Sequence, residues 1–363
     1  MINRRYLYEF DWTTFLIALA LSAIGIVFIY SATRDASSTF FLWRQLIWLA
    51  CGLILFAMVQ MIDYHTLTHY VHFLYGFGLI ALLTVLVFGS EVRGHRSWLH
   101  VGSVTLQPSE FVKIVTILAL VRFFSQGAKV QLSGWEIAIA GAITSLPMLL
   151  VLLEGDLGSA MTFIPVLASM ALVCGLKRRF VVITLITVLC LTPLAWLSLK
   201  NYQRQRIMAT FNSELDPRGI GYQAQQSKIA IGSGGVLGKG IFQGTQSQLG
   251  FLPARHTDFI FAVLAEEAGL AGALAVLGLY FWLLWRILNF TRAARDRTGL
   301  LLIVGVASLI SFHLLINVGM VIGLVPIAGI PLPLLSYGGS SMMSTFFGLG
   351  LILNVQVRRF LYY

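Results

Sequence analysis

The chain has 363 residues, of which 58% are hydrophobic and only 11% are charged. Soluble domains carry about 25% charged residues, so this composition excludes an ordinary soluble protein and indicates an integral membrane protein. The formal net charge of +10 comes mostly from Lys and Arg residues beside apolar segments, which gives no reason to expect a nucleic-acid partner.

Ten apolar segments are long enough to cross about 30 Å of hydrocarbon as helices, which satisfy their own backbone groups in lipid. We therefore predict an all-α, polytopic membrane protein that forms a single domain over residues 1–363, with one long extracytoplasmic loop at 199–257. The first segment is too long for the apolar core of a signal peptide, so we expect a retained anchor. The predicted spans are 12–32, 40–62, 71–89, 108–125, 133–153, 157–175, 180–198, 259–285, 299–322 and 338–357.

The basic residues predict the orientation of the chain in the membrane. If the N-terminus is cytoplasmic, most Lys and Arg residues lie in cytoplasmic segments, and the short outer loops contain only Arg34, Arg44, Arg93 and Arg96. This bias predicts that both termini are cytoplasmic.

Acidic residues stand near the outer boundaries of two spans. In "QPSEFVK", Pro108 suits the first turn of a helix, and Glu110 and Lys113 occupy neighbouring positions on its surface. This pattern leaves open a self-satisfied ion pair and the wall of a polar cavity. In "LLEGDLGSA", either Glu154 or Asp156 is suited to cap span 6. Because ionisable residues in spans usually face a bundle interior or a cavity, we expect a polar site at the outer face.

The long loop contains a glycine-rich stretch, "SGGVLGKG". Ser233 stands where a phosphate-binding P-loop requires its first Gly, and Gly240 follows Lys239 where Ser or Thr is required, so the stretch is not a P-loop. Its glycines permit tight turns or close backbone approach to a ligand. Two interpretations stay open, a nest of N–H groups for a pyrophosphate and a plain flexible loop.

The stretch "RHTDFIFAVLAEEAG" opens the eighth span. Asp258 lies at headgroup depth, where a carboxylate is suited to act as a general base or to bind a divalent cation. His256 beside it supplies a cationic partner. Glu266 and Glu267 lie about 12–13 Å further along the helix, too deep to act on a headgroup, and we expect them to pair with other helices.

The connection "GLVPIAGIPLPLLSYGGSS" between the last two spans interrupts the helical pattern at Pro326, Pro331 and Pro333. Irregular backbone at membrane depth is tolerated only where protein or a cavity covers it, so we predict a rigid cap over the outer site. On span 9, we interpret His313 and Asn317, one turn apart, as interhelical hydrogen-bond partners.

These patterns leave two functions open. One is an enzyme that acts on a lipid-linked substrate at the outer face, and the other is a transporter whose acids mark a path through the bundle. Transporters commonly have broken helices at corresponding positions in the two halves of the chain, whereas the only break that we predict here lies in the second half. The clustering of acids at one leaflet therefore favours the enzyme.

Five stretches of the chain are similar to the SEDS family, named for shape, elongation, division and sporulation. The similarity covers essentially the whole chain, and it is closer to the elongation member of the family than to the division member. It implies a peptidoglycan glycosyltransferase of the bacterial cytoplasmic membrane, which polymerises lipid II at the outer face and releases undecaprenyl pyrophosphate. The stretches are "QPSEFVK", "YQRQRI", "IGSGGVLGKG", "GTQSQLGFLPARHTDFIFAVLAEEAGLAG" and "PLPLLSYGGSS".

The resemblance also implies roles for particular residues. Asp258 corresponds to the essential carboxylate, which deprotonates the GlcNAc 4-hydroxyl or holds a divalent cation, Mg²⁺ or Mn²⁺; no organic cofactor is implied. Ala254 departs from the family, which often has Glu there. The implied substrate-binding and cavity residues are Arg44, Trp98, Glu110, Lys113, Asp156, Lys239 and His256.

The resemblance implies a partner, a class B penicillin-binding protein of the elongation type that crosslinks the new strands, together with other proteins of the elongation complex. Two alternatives to the polymerase stay open. A lipid II flippase would need acids that are accessible from each leaflet in turn, and a scaffolding subunit would not depend on Asp258 at all.

Overall fold

The computed structural model describes residues 9–92, 95–102, 104–127, 131–182 and 219–359, together with Arg204 and Met208. Over these residues the chain is a bundle of long apolar helices with a small sheet. Seven helical segments within the described ranges are long and apolar enough to cross a membrane. The predicted span 180–198 and the first part of the long loop, residues 199–218, lie almost entirely outside the described residues.

The described helices and strands are numbered along the chain. In chain order they are α1 Trp12–Met61, α2 Tyr64–His69, α3 Val71–Phe88, β1 Ser90–Val92, β2 His95–Val101, β3 Val104–Leu106, α4 Pro108–Ser125, α5 Gly134–Leu153, α6 Leu157–Met161, α7 Phe163–Val173, α8 Ile220–Gly234, α9 Thr245–Gln248, α10 Ile260–Ala293, α11 Arg297–Val321 and α12 Gly339–Arg358.

The helix α1 contains two segments that are each long and apolar enough to cross a membrane. A straight helix of 50 residues would be about 75 Å long, more than twice the hydrocarbon thickness. Its two apolar segments are Trp12–Arg34 and Thr39–Met61. The rings of Phe15 and Phe56 are only 5.1 Å apart, which shows that the two segments lie side by side. They correspond to the first two predicted spans.

The helix α10 is broken near its beginning. Its 34 residues would extend about 51 Å, but Gly269 has φ 66° and ψ −168°, a conformation open to glycine alone. The part from 270 to 293, about 36 Å long, is sufficient for a crossing. The predicted span 259–285 begins where the helix begins, but residues 260–268 form a separate helical segment before the break.

The break in α10 is sealed by the loop that precedes it. The N–H of Leu270 donates to the carbonyl of Gly235 (2.9 Å), and the N–H of Ala271 donates to that of Val236 (3.0 Å). In the opposite direction, Lys239 and Gly240 donate to the carbonyls of residues 266 and 267 (3.1 and 3.0 Å). Backbone groups freed by a helix break need such partners near lipid.

The prediction of an all-α fold is correct for the bundle and wrong for residues 90–106. There, β1, β2 and β3 form a three-stranded antiparallel sheet in chain order. Ser90 is paired with Trp98, and Leu99 with Leu106. This connection is too polar for a span, so its backbone pairs between strands, with Gly102 (φ 63°) in the second turn.

Charged side chains meet at one end of the bundle, which we call the Arg358 end. There Asp11 pairs with Arg286, and Asp63 pairs with Arg358 (3.3 Å). The amide of the buried Asn354 in α12 also donates to carbonyls at the end of α1. The opposite end, which contains residues 256–258 and the connection 322–338, is called the Asp258 end.

Candidate functional site

The backbone around Asp258 is fixed by three consecutive hydrogen bonds. The acceptors are the carbonyls of residues 256–258, directly before α10. The N–H of Tyr337 donates to the first (2.9 Å), the hydroxyl of Ser336 to the second (2.7 Å) and the amide of Asn317 to the third (3.0 Å). The Asp258 residue is partly exposed. A partly exposed carboxylate therefore stands on a backbone that the cap and α11 hold in place.

The turn that presents Asp258 contains a left-handed residue. Ala254 has φ 53°, a conformation that costs a residue with a Cβ about 1–2 kcal/mol. Its carbonyl accepts hydrogen bonds from the N–H groups of Thr257 (3.1 Å) and Phe259 (3.3 Å). Leu334 in the cap is also left-handed, with φ 71°. Local backbone strain of this kind is often found at functional sites.

A buried polar cluster lies on the facing helices α4, α11 and α12. The Lys113 ammonium is 2.7 Å from the Glu110 carboxylate, and the two side chains are 2% and 3% exposed. Lys113 also lies 3.2 Å from Nε2 of His313, and Ser344 donates to Glu110 (3.3 Å). Glu110, His313 and Ser344 line a small pocket that also includes Pro333. The Glu110–Lys113 ion pair in "PSEFVK" is therefore self-satisfied, and its Glu110 member also lines this pocket.

The hydrogen bonds of His313 define its tautomer. Its Nδ1 lies 3.3 Å from the carbonyl of Pro331, which can only accept, so Nδ1 carries the proton. Nε2 is then the acceptor for the Lys113 ammonium. One turn later on α11, Asn317 donates to the carbonyl of Ile330 (2.7 Å). The two residues predicted to be interhelical partners thus connect the cap to the polar cluster and to Asp258.

Asp156 and Glu154 occupy the turn between α5 and α6. The Asp156 carboxylate accepts hydrogen bonds from the N–H of Ser159 (2.9 Å) and from the side-chain amide of Gln107 (3.0 Å). The first of these makes Asp156 the N-cap residue of α6. The N–H of Gln107 donates in turn to Ser340 at the start of α12 (2.8 Å). Asp156 therefore joins three elements at the Asp258 end.

Glu154 is 3% exposed, and neither of its carboxylate oxygens has a hydrogen-bond partner among the described residues. Burial, and secondly the charge of Asp156, raise the pKa of Glu154 to about 8. The carboxyl is therefore largely protonated at neutral pH.

Arg44 and His256 are gathered around Tyr337. The His256 ring lies 4.8 Å from the Phe41 ring and 5.5 Å from the Tyr337 ring. The Arg44 guanidinium stands 5.1 Å over the Phe40 ring. Burial raises the pKa of Tyr337, and the positive charge of Arg44 opposes that rise. Two of the predicted site residues thus lie beside the residue that anchors the carbonyl of His256.

Lys239 and the two glutamates of α10 hold the loop to the broken helix. Lys239 is 2.8 Å from Glu266, whose carboxylate also accepts from the N–H of Gln246 (2.9 Å). Glu267 accepts from the hydroxyl of Ser31 in α1 (2.5 Å). The prediction of pairing with other helices holds for Glu267 through Ser31 of α1 and for Glu266 through the short helix α9, whereas the ion pair of Glu266 with Lys239 of the loop was not predicted.

The glycine-rich stretch is packed too closely for a free nest of donors. The N–H groups of residues 239, 240 and 242 donate to backbone or carboxylate oxygens of residues 266 and 267. A Cβ on Gly238 would lie 2.1 Å from the carbonyl of Glu267. The predicted close approach of glycine backbone is therefore directed at α10.

Two further predicted features can be placed. Trp98 lies on β2, partly buried, opposite Ser90 in the sheet. For the divalent cation, the part of the chain that the structure describes contains no group of three or more His, Cys, Asp or Glu residues able to hold a metal. These residues do not fit a resident metal cage, so any cation beside Asp258 would depend on phosphate oxygens and water for its other ligands.

Gln107, Ser336, Tyr337 and Ser344 belong to the site but were not predicted. Three of these belong to the polar run "SYGGSS" and its continuation, and hydroxyl residues at the start of an otherwise apolar span were the signal for them. Gln107 lies one residue before the predicted helix start and carried no comparable signal.

Known proteins are similar to this chain over nearly its whole length. A family model described as "Cell cycle protein" (FtsW, RodA and SpoVE) matches residues 11–360. The peptidoglycan glycosyltransferase MrdB of Escherichia coli K12 is 38% identical over 350 residues, covering 96% of this chain and 94% of that protein.

Two solved structures are similar over nearly the full length. One is a chain from a peptidoglycan synthase complex in which polymerization and crosslinking are coordinated; its TM-score is 0.84, at 33% identity over 97% of this chain and 98% of that one. The other is the rod shape determining protein RodA of Thermus thermophilus, with a TM-score of 0.73 at 31% identity and the same coverage.

Proposed function

The chain belongs to the FtsW, RodA and SpoVE family and is a peptidoglycan glycosyltransferase, and we propose that it polymerises lipid II with Asp258 as the catalytic carboxylate. The observation that carries this assignment of Asp258 is its placement. It is a partly exposed acid on a clamped backbone, at the end of the bundle opposite the basic Arg358 end.

Polymerisation requires one base and a leaving group. The 4-hydroxyl of an incoming GlcNAc attacks C1 of the terminal MurNAc and loses its proton to the Asp258 carboxylate. The C1–O bond to the pyrophosphate breaks, and undecaprenyl pyrophosphate leaves with the bonding electrons. Because attack comes from the opposite face, the α-linked donor gives a β-1,4 bond, and a single displacement with inversion needs no enzyme nucleophile.

The other site residues support this reaction in different ways. Arg44 is the cation that we assign to the pyrophosphate, since its charge acts on Tyr337, whose N–H donates to the carbonyl of His256, two residues before Asp258. The paired charges of Glu110 and Lys113 hold a cavity wall, as Asp156 holds the start of α6.

The remaining substrate-site residues carry narrower roles. His256 contacts the aromatic rings of Phe41 and Tyr337. Lys239 holds the loop to α10 through its ion pair with Glu266. We assign Trp98 on the sheet to contact with a sugar, as aromatic rings are suited to do. The alternative role for Asp258 is to hold a divalent cation, Mg²⁺ or Mn²⁺, which would neutralise the departing pyrophosphate and take its other ligands from phosphate oxygens and water.

The charge distribution supports a location in the bacterial cytoplasmic membrane with the Arg358 end in the cytoplasm. Arg286, Arg297 and Arg358 are at that end, as expected for the side on which positive charge is retained. The proposed partner is a class B penicillin-binding protein. Support comes from the similarity to a chain of a complex that polymerises and crosslinks.

The test uses the purified complex with its transpeptidase partner and fluorescent lipid II. Glycan ladders are expected for the wild type and for Asp63→Asn, a matched acid at the Arg358 end, and none for Asp258→Asn. Ladders of normal length from folded Asp258→Asn would refute the assignment. Movement of lipid II between leaflets that persists in that variant without any polymer would favour the flippase.

A further inference from the structure

Asn317 lies 0% exposed on α11, and its amide joins two distant segments. Its Nδ2 donates to the carbonyl of Asp258 (3.0 Å) and to that of Ile330 (2.7 Å). Both partners can only accept, so the nitrogen and not the oxygen faces them. The amide oxygen, buried as well, has no partner within the described part of the chain.

The bond to the Asp258 carbonyl controls where the carboxylate can reach. An aspartate side chain has only two rotatable bonds, so the position of its carboxylate follows mainly from its own backbone. That backbone is held by Tyr337, Ser336 and Asn317 at successive carbonyls. The Asn317 bond acts on the peptide unit of Asp258 itself, and the same amide fixes the cap at Ile330.

We propose that Asn317 is a positioning residue for the reaction: it sets the distance of the Asp258 carboxylate from the acceptor hydroxyl by holding the Asp258 carbonyl and the cap together. This inference rests on the proposed role of Asp258. The side chain of Asn317 does not itself contact the reacting atoms.

A control for its structural contribution exists at the other end of the bundle. Asn354 is also 0% exposed, and its Nδ2 donates to the carbonyls of Val59 and Ile62, each at 2.8 Å. Removing either amide takes two side-chain hydrogen bonds from backbone carbonyls in the bundle, so a general loss of stability should be similar for the two. Only Asn317 is bonded to the catalytic residue.

The experiment measures kcat and KM for lipid II, together with the thermal midpoint, for Asn317→Ala and Asn354→Ala in the complex with the transpeptidase partner. We expect Asn317→Ala to lower kcat about 10- to 100-fold, as a misplaced base does. Its KM should remain within about twofold, since ground-state binding is kept. Asn354→Ala should lower the midpoint comparably and leave kcat within about twofold.

Two results would overturn the proposal: normal kcat for Asn317→Ala, or equal kcat losses in both variants. If Asn317→Ala does not fold, Ser336→Ala is measured in its place, because the Ser336 hydroxyl donates to the adjacent carbonyl of Thr257. A loss of kcat at constant KM in Ser336→Ala supports the proposal, and an unchanged kcat refutes it. Activity in Asp258→Asn would instead refute the proposed function, whereas inactive Asp258→Asn with fully active Asn317→Ala would refute only this inference.

Discussion

Lys113→Met removes one charge of a deeply buried ion pair and keeps the length of the side chain. In the wild type the Lys113 ammonium is 2.7 Å from Glu110 and also donates to Nε2 of His313. The substitution therefore leaves a carboxylate in the bundle interior whose one remaining hydrogen-bond partner among the described residues is the Ser344 hydroxyl, and it leaves an imidazole nitrogen without its donor.

The magnitude follows from this geometry. At 2.7 Å and an effective dielectric constant of 20, the attraction is about 6 kcal/mol before desolvation is subtracted. Breaking a buried pair from one side typically costs about 3–5 kcal/mol, because the remaining charge is uncompensated. Replacing both members, as in Glu110→Gln with Lys113→Met, should cost much less than the sum of the single changes.

The assay is the free energy of unfolding of the purified protein in mixed micelles for the two single variants and the double variant. Arg358→Met is the control, because its pair with Asp63 is longer (3.3 Å) and partly exposed, so about 1 kcal/mol or less should be lost. A loss for Lys113→Met no larger than that of the control, or strict additivity in the double variant, would refute the reasoning.

Two further predictions concern the break in α10 and the buried acid at the α5–α6 turn. Gly269→Ala should lower the free energy of unfolding by about 2–4 kcal/mol, because φ at Gly269 is 66° and a Cβ there would lie 2.3 Å from the nitrogen of Gly238. Gly278→Ala is the control, because a Cβ at this position of the same helix would meet nothing within 4 Å. An equal loss of unfolding free energy in Gly278→Ala would contradict the argument. As pH rises from about 5 to about 8, Glu154→Gln should become progressively more stable relative to the wild type. The reason is that the pKa of Glu154 is raised to about 8 in the folded protein, so the folded wild type holds a proton that the unfolded chain has lost. The free energy of unfolding of the wild type therefore falls as pH rises through this window. Unfolding curves at several pH values check this, and a gap between the two proteins that does not change with pH would be inconsistent with a protonated Glu154.

Several features of the bundle were predictable because they depend on local composition. The predicted span 108–125 coincides with α4, since a proline start and a polar end mark its limits in the chain itself. The candidate carboxylate Asp258 and the cap were also visible, as an acid and a group of prolines are unusual beside apolar spans.

Other features depended on partners far away in the chain. The break at Gly269 was not predicted, because it is stable only with residues 235–240 alongside it. The sequence did not identify the partners of Glu266, which are Lys239 of the loop and Gln246 of the short helix α9. The sheet at 90–106 was missed because short strands outside the membrane carry a much weaker pattern than a span.

The sequence by itself determined that this chain is a membrane protein, where most of its crossings lie and which acid is the candidate base. Hydrocarbon imposes these choices residue by residue, because each apolar span must satisfy its own backbone and each acid is costly. Only the tertiary structure decided that the carbonyls of residues 256–258 are held by Asn317, Ser336 and Tyr337. Hydrogen bonds between segments tens of residues apart form only after the helices have packed, so no local pattern records them.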